Sequence, residues 1–214
     1  MIYDNWITTY LIFLFTFCVS SIGCFYLDCL SPIRMIDNKV TKSSRYEMLQ
    51  QYKFILPRVS LNVFLLTPIF FYYSDHIIEY KPEFIFMDFF KQIIMAGLLI
   101  DVFFYITHRA MHHKYLYKWS HKIHHRFKKP VGMEAVYHHW FDLYFSNLFP
   151  IFMALWVLPS KNIYTWYTWV FLATATTVLH SHSGWSETGH DNHHRYSMVH
   201  FGVGIFMDKI LDTD

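Results

Sequence analysis

Histidines are concentrated in the second half of the chain, in blocks whose spacing suits metal binding. Of the 15 histidines, 14 lie between His108 and His200. Three blocks, 108–113, 121–125 and 190–194, place imidazoles three or four residues apart, on one face of a helix. Neutral imidazoles at this spacing can supply two ligands from one helix, and they suit Fe, Zn, Cu or Ni. Three blocks offer more ligands than one zinc ion uses, so we expect two metal ions.

Carboxylates are scarce around these blocks, unlike in a soluble di-iron bundle, which is rich in glutamate. Asp142 lies three residues after His139 and is a candidate acceptor that would orient a ligand imidazole. An ordinary acidic residue at a helix start is the alternative. We assign no role to His76, and His200 at most supports a ligand.

The elements that must position these histidines are apolar runs of membrane length. The chain is 54% hydrophobic and 16% charged, whereas soluble domains have about 25% charged residues. A bilayer core requires about 20 apolar residues in a helix. The uncharged runs are 5–27, 59–74, 143–160 and 162–186. The third candidate span along the chain, 84–107, is weaker because it is interrupted by Asp88, Lys91 and Asp101.

The first run lacks a basic n-region and a clear cleavage site, so we interpret it as a retained span and not a signal peptide. Three clustered cysteines provide no disulfide framework. The sequence therefore predicts an all-α fold, an integral membrane helical bundle with four to five transmembrane helices and a cytosolic histidine-rich helical cap. We expect residues 1–214 to form a single membrane-embedded domain.

Lysine and arginine predict the orientation in the membrane. They are enriched in segments 28–58 and 108–142, whereas 75–88 is mainly acidic. The positive-inside rule places the two basic segments in the cytosol, and a hairpin at 158–162 returns the chain there near His180. Met1 is then outside and Asp214 in the cytosol. The net charge of only +2 argues against a nucleic-acid partner.

The motifs resemble the sterol desaturase / fatty acid hydroxylase superfamily. The resemblance lies in the first two histidine blocks and in Pro130-Val-Gly-Met133, and it extends over about residues 95–214. Tyr137-His-His-Trp-Phe-Asp142, His182-Ser-Gly-Trp185, the third block and the end of the chain, 208–214, are most similar to the C4-methylsterol oxidase branch. Two features depart from that branch: a short 185–189 loop, and His200-Phe201 where Asn-Tyr is usual.

The resemblance implies a membrane di-iron oxygenase with two iron ions and O2 as co-substrate. It also implies a sterol or fatty acyl lipid substrate and an electron donor such as cytochrome b5 or a reductase. The superfamily's metal-binding histidines correspond to His108, His112, His121, His124, His125, His182, His190, His193 and His194. Four further residues are candidates for a ligand or for the support of a ligand, namely His113, His139, His180 and Asp142.

Three functions remain open. The leading one is oxidation of a lipid C–H bond, as by a C4-methylsterol oxidase, in the endoplasmic reticulum membrane if the organism is eukaryotic. The second is a sterol C5-desaturase or a fatty acyl hydroxylase of the same superfamily. The third is a membrane metal transporter or storage protein. Transport is disfavoured because the histidines fall on cytosolic connections and not at the midplane of the spans.

Overall fold

The computed structural model describes residues 5–30, 45–81, 83–128, 130–159, 161–181 and 189–214. Within these ranges the protein is helical and has no β-strand, only one isolated bridge between Lys81 and Asn162. The predicted all-α class is confirmed. The helices are α1 (Asn5–Phe25), α2 (Arg45–Leu61), α3 (Thr67–Ile77), α4 (Phe86–Met111), α5 (Lys114–Trp119), α6 (Trp140–Asp142), α7 (Phe149–Trp156), α8 (Ile163–Ser181), α9 (Gly189–Tyr196) and α10 (Met207–Ile210).

Among the described residues, three helices are long and apolar enough to cross a membrane. They are Asn5–Cys29, Tyr46–Ile77 and Phe86–Met111, with 25, 32 and 26 residues. Their outward faces expose large apolar side chains such as Phe15 and Phe64, as a lipid-facing surface does. The third helix is continuous although its sequence carries charges. Asp101 is buried and its carboxylate accepts three backbone N–H groups, so this charge is compensated inside the protein.

The fourth and fifth predicted spans form a shorter helical hairpin. Residues 140–156 are continuously helical, and α8 follows with 19 residues. Helix α8 packs against α1, and α7 packs against α4, so the hairpin closes the bundle. The chain thereby brings α9 back to the end of α4, where the first histidine block lies.

Two π-helical turns precede prolines. Asn62–Leu66 precedes Pro68, and Leu143–Leu148 precedes Pro150. A proline has no N–H, and its ring clashes with the carbonyl four residues earlier, so a wider turn relieves the clash. In the first turn the Asn62 amide donates to the carbonyl oxygens of Val136 and His138, at 2.7 and 3.0 Å. This contact fixes the short 3-10 turn Gly132–Val136 next to the histidines.

An aromatic cluster forms the core far from the histidines. Phe71 of α3 contacts Phe13 of α1 and Trp166 of α8, with ring centroids 5.9 and 6.2 Å apart. The indole Nε1 of Trp166 donates to Thr9 Oγ1 at 2.9 Å. These contacts join three helices of the bundle at the level opposite the histidine-rich end.

Candidate metal centre

Five histidines from three elements form one compact group, which we call the five-histidine group. One ring nitrogen of each residue lies within 4.8 Å of those of the other four. Helix α4 and its end provide the first two, a 3-10 turn at His121–Arg126 the next two, and α9 the last. The members are His108, His112, His121, His125 and His193.

Four Nε2 atoms of this group form a closed ring. The Nε2 of His112 lies 3.1 Å from those of His121 and His193, and the Nε2 of His125 lies 3.1 Å from the same two. Nitrogens bound to one metal at about 2.1 Å and at right angles are about 3 Å apart. The spacing therefore fits nitrogen ligands that share one metal ion.

A second group, the three-histidine group, lies directly beside the first. It consists of His124, His190 and His194, whose ring nitrogens also lie within 4.8 Å of one another. The Nε2 atoms of His124 and His194 are 3.2 Å apart. The ring of His194 stacks on that of His125 with centroids 4.6 Å apart, so the two groups share a wall. All three sequence blocks thus converge on one place, as their spacing predicted.

Hydrogen bonds at the opposite ring nitrogen orient several of these imidazoles. The Nδ1 of His108 bonds to the Phe201 carbonyl at 2.8 Å, and that of His193 bonds to the Val199 carbonyl at 2.6 Å. The Nδ1 of His194 bonds to the Phe127 carbonyl at 3.1 Å. A carbonyl only accepts, so each Nδ1 carries the hydrogen and each Nε2 presents its lone pair to the group.

Burial keeps five imidazoles of the cluster neutral. Desolvation, followed by repulsion from His121 and His193, lowers the pKa of His112 to about 2. Desolvation lowers the pKa of His194 to about 3, and it holds those of His124, His125 and His193 well below the usual range. Neutral imidazole is the form that binds metal, so the site is prepared for ligation at neutral pH.

Asp142 supports the cluster, although not through the residue that we expected. Its Oδ2 accepts from the Nδ1 atoms of His121 and His138, both at 2.9 Å, and the expected bond from His139 is replaced by these two. Burial alone would raise the pKa of the Asp142 carboxyl, but His121 and His138 outweigh it and hold the pKa well below its usual range. The ring of His139 instead lies 5.0 Å from that of Trp119.

His138 also belongs to the cluster, although its sequence position did not single it out. This residue is buried beside the three-histidine group, with its ring stacked on that of His124 at a centroid distance of 4.2 Å. His138 lies in a non-helical stretch before α6, so helical spacing gave no signal that it would face inwards.

The remaining candidates lie elsewhere. His113 is exposed at the start of α5, outside both groups. His182 lies outside the described residues, as does the side chain of His180. His76 is exposed on the last turn of α3, far along the chain from the blocks.

A mainly apolar cavity of about 530 Å³ extends from the cluster into the bundle. His190 and His200 line it at the histidine-rich end, and Phe13, Phe71 and Trp166 line it at the aromatic core. A cavity of this size and lining suits an apolar ligand.

Comparison with known proteins identifies similar sequences. A family model described as fatty acid hydroxylase matches residues 93–213. The chain is 32% identical over 129 residues to the fatty acid hydroxylase ahd1 of Mycosarcoma maydis, which covers 58% of this chain and 33% of that protein. It is 30% identical over 142 residues to the very-long-chain aldehyde decarbonylase GL1-11 of Oryza sativa subsp. indica, covering 58% and 52%.

A third relative extends the range of names. A Dictyostelium discoideum protein, provisionally named a methylsterol monooxygenase, is 29% identical over 136 residues, covering 56% of this chain and 50% of that protein. The chain thus spans between a third and about half of the length of these curated relatives. No solved structure matches the chain significantly. The relatives' names span several branches of one superfamily, so the C4-methylsterol oxidase branch stays a prediction.

Proposed function

This chain belongs to the fatty acid hydroxylase family, and on that basis we propose that it is a membrane di-iron oxygenase that oxidises a C–H bond of a lipid. One observation carries the proposal: two adjacent groups of imidazoles, one of five and one of three, with Nε2 atoms at the spacing of metal ligands. Their donor set is nearly all nitrogen, which suits iron and other borderline metals.

Each histidine group would hold one iron ion. The irons would supply the activation of O2 that attack on an unactivated C–H bond requires, chemistry that side chains do not provide. The protein's own residues hold several of the imidazoles neutral and bury the centre away from bulk water. Hydrogen bonds at Nδ1 fix the orientation of four of them. Asp142 holds His121 of the five-histidine group and His138 beside the three-histidine group, so it stabilises both at once.

The apolar cavity supports a lipid substrate. Trp166 and Phe71 line its aromatic end, and its other end lies against His190, so a chain or ring system inside would reach the cluster. We infer a sterol or a fatty acyl lipid. The sequence motifs favour a C4-methylsterol, whereas the name of the Mycosarcoma maydis relative favours a fatty acid.

The electron donor would approach from the cytosolic side. Lys114, Lys118 and Lys122 are exposed near the cluster and carry no acidic neighbour in segment 108–129. Such a surface attracts an acidic carrier such as cytochrome b5 or a reductase. In a eukaryote, the endoplasmic reticulum membrane would provide both the carrier and the lipid.

The test is reductant- and O2-dependent lipid turnover in membranes that contain the protein. We expect a new oxidised sterol or acyl lipid in lipidomic comparison with control membranes. His125→Ala and His194→Ala, one from each group, should abolish it, while His76→Ala should retain it. Metal uptake into sealed vesicles without any O2-dependent product would instead support the transporter alternative.

A further inference from the structure

We propose that Asp101 and Asp208 are positioning residues, which hold the C-terminal segment 199–213 so that two of its carbonyls orient His108 and His193 for metal binding. The inference rests on the proposed function, because it assumes that the five-histidine group holds a metal. Asp208 belongs to the end motif, 208–214, to which the proposed reaction assigns no role.

Asp101 of α4 fastens the segment from one side. Its Oδ1 accepts the backbone N–H of Val203 at 2.9 Å, and its Oδ2 accepts those of Phe206 and Met207 at 2.8 and 2.9 Å. The side chain is fully buried. A buried carboxylate that accepts three N–H groups ties two distant parts of the chain together, since each bond to a charged group is stronger than a neutral one.

Asp208 is itself part of the segment and holds it through hydrogen bonds to other residues of the segment. Its Oδ1 accepts the N–H of Phe201 at 2.7 Å and the hydroxyl of Thr213 at 2.9 Å, and its Oδ2 accepts the N–H of Gly202 at 2.8 Å. A Cβ at Gly202 would lie 2.8 Å from oxygens of both carboxylates. Glycine has no Cβ, so at this position it allows both carboxylates to contact the same short stretch of backbone.

The two carbonyls next to His200 contact the five-histidine group. Val199 accepts from His193 at 2.6 Å and Phe201 accepts from His108 at 2.8 Å. His200, between them, has a φ of 53° and donates its N–H to the Thr213 carbonyl at 2.6 Å. This left-handed conformation is uncommon for residues other than glycine, but histidine and asparagine adopt it more often than β-branched residues do, so the segment makes a left-handed turn where it contacts the cluster.

Among the described residues, the hydrogen bonds from this segment to the cluster go to one group. Both imidazoles that it orients belong to the five-histidine group. In the three-histidine group, the Nδ1 of His194 is held by Phe127, which precedes α6 and is separate from the segment. Loosening the segment should therefore weaken the binding of one metal ion and leave the binding of the other unchanged.

Asp101→Asn and Asp208→Asn test the idea. Each amide keeps one acceptor oxygen and turns an NH2 group towards backbone donors, which leaves buried N–H groups without acceptors. We expect the wild type to hold about two metal ions and each variant about one, with affinity at the lost site reduced about 10- to 100-fold. Asp88→Asn, an exposed acid on the same helix, is the matched control and should keep both.

The measurement is metal per chain together with Co²⁺ titration followed by its visible absorption, on protein purified in detergent. Variants that hold two ions with wild-type affinity would overturn the inference, and so would simultaneous loss of both ions by a folded variant. A wild type without metal would contradict the proposed function instead.

A second pair of variants tests the turn if the acid variants fail to fold. His200→Asn and His200→Val both remove the imidazole, but a β-branched residue is disfavoured at positive φ whereas asparagine tolerates it. His200→Asn should therefore keep both metals and His200→Val should lose one. Equal metal content in the two variants would contradict the role of the turn.

Discussion

The imidazole of His138 lies stacked on that of His124, with ring centroids 4.2 Å apart and ring planes inclined by 16°. His138 is also bonded through Nδ1 to Asp142, whose same oxygen accepts from His121. One buried carboxylate therefore connects His121 of the five-histidine group to His138, which is packed against the three-histidine group. Ser146 donates to the other oxygen of Asp142 and completes its set of bonds.

Asp142→Asn should weaken metal binding at both groups. The neutral amide oxygen accepts more weakly than the carboxylate does, and the NH2 group faces the Ser146 hydroxyl where an oxygen accepted before, so His121 and His138 are held less firmly. We expect about a 10- to 100-fold loss of metal affinity, as is typical for partners of metal ligands. Competitive metal titration measures it. Asp88→Asn, at an exposed acid outside the site, is the control, and equal affinities of the two variants would refute the role of Asp142.

Substitutions of two neighbouring histidines should differ sharply in their effect on metal content and turnover. His112 lies in the five-histidine group, whereas His113 is exposed beyond the end of α4. His112→Ala should remove one metal ion per chain and abolish turnover, while His113→Ala should retain metal and activity. Elemental analysis and lipid turnover on the same preparations check this pair. Loss of metal in both variants would mean that the assignment within the block is wrong.

The sequence predicted the convergence of the histidine blocks because helical spacing and charge gaps are periodic signals. It placed His112 among the metal ligands and His113 only among the further candidates, because His112 lies four residues after His108 and so on the same face of a helix. It also selected His139 in place of His138 as the partner of Asp142. The segment before α6 is a 3-10 turn followed by non-helical residues, so no regular period sets which side chain faces inwards.

The role of Asp101 was also hidden from the sequence. Its acceptor bonds go to residues more than 100 positions later, and a charge inside an apolar run weakens the prediction of a span. Only tertiary structure supplies those N–H groups. Because charged residues are rare in membrane helices, the sequence made the helix that carries the first histidine block a weaker candidate for a membrane span than the others.

Glu134 should make stability depend on pH. Burial raises the pKa of its carboxyl well above the usual value, although Gln51 donates a hydrogen bond that opposes the shift. Between the ordinary pKa and the raised one, the folded protein holds a proton that the unfolded chain has released. Raising the pH through this range therefore lowers the free energy of unfolding.

Glu134→Gln removes that dependence because the amide stays neutral. The thermal stability of the wild type in detergent should fall relative to that of the variant as pH rises from about 5 to about 8. Glu79→Gln, at an exposed position, should follow the wild type. Parallel curves for the wild type and Glu134→Gln would show that the carboxyl is ionised in the folded protein throughout.

The two ends of the chain should lie on opposite sides of the membrane. The three candidate spans carry the chain across in alternate directions, and the hairpin of α7 and α8 returns to the side from which it started. Tags at Met1 and Asp214 should therefore be labelled from opposite sides of sealed membranes. Labelling of both tags from one side would refute the positive-inside orientation.

Trp166 should set how long a substrate can be. It lines the aromatic end of the cavity, where it contacts Phe71 at 6.2 Å between ring centroids and donates to the hydroxyl of Thr9. Trp166→Leu removes the indole and its bond to Thr9, which extends the cavity between α1 and α8 away from the histidines. Because the reacting carbon must still reach the cluster, the added space accommodates only the far end of a longer substrate.

We expect products from a series of sterols or acyl lipids to shift towards longer members, with metal content unchanged. Trp156→Leu removes an exposed tryptophan of α7 and should leave the product distribution as in the wild type. An unchanged distribution in Trp166→Leu, with activity retained, would show that the substrate does not occupy this end of the cavity.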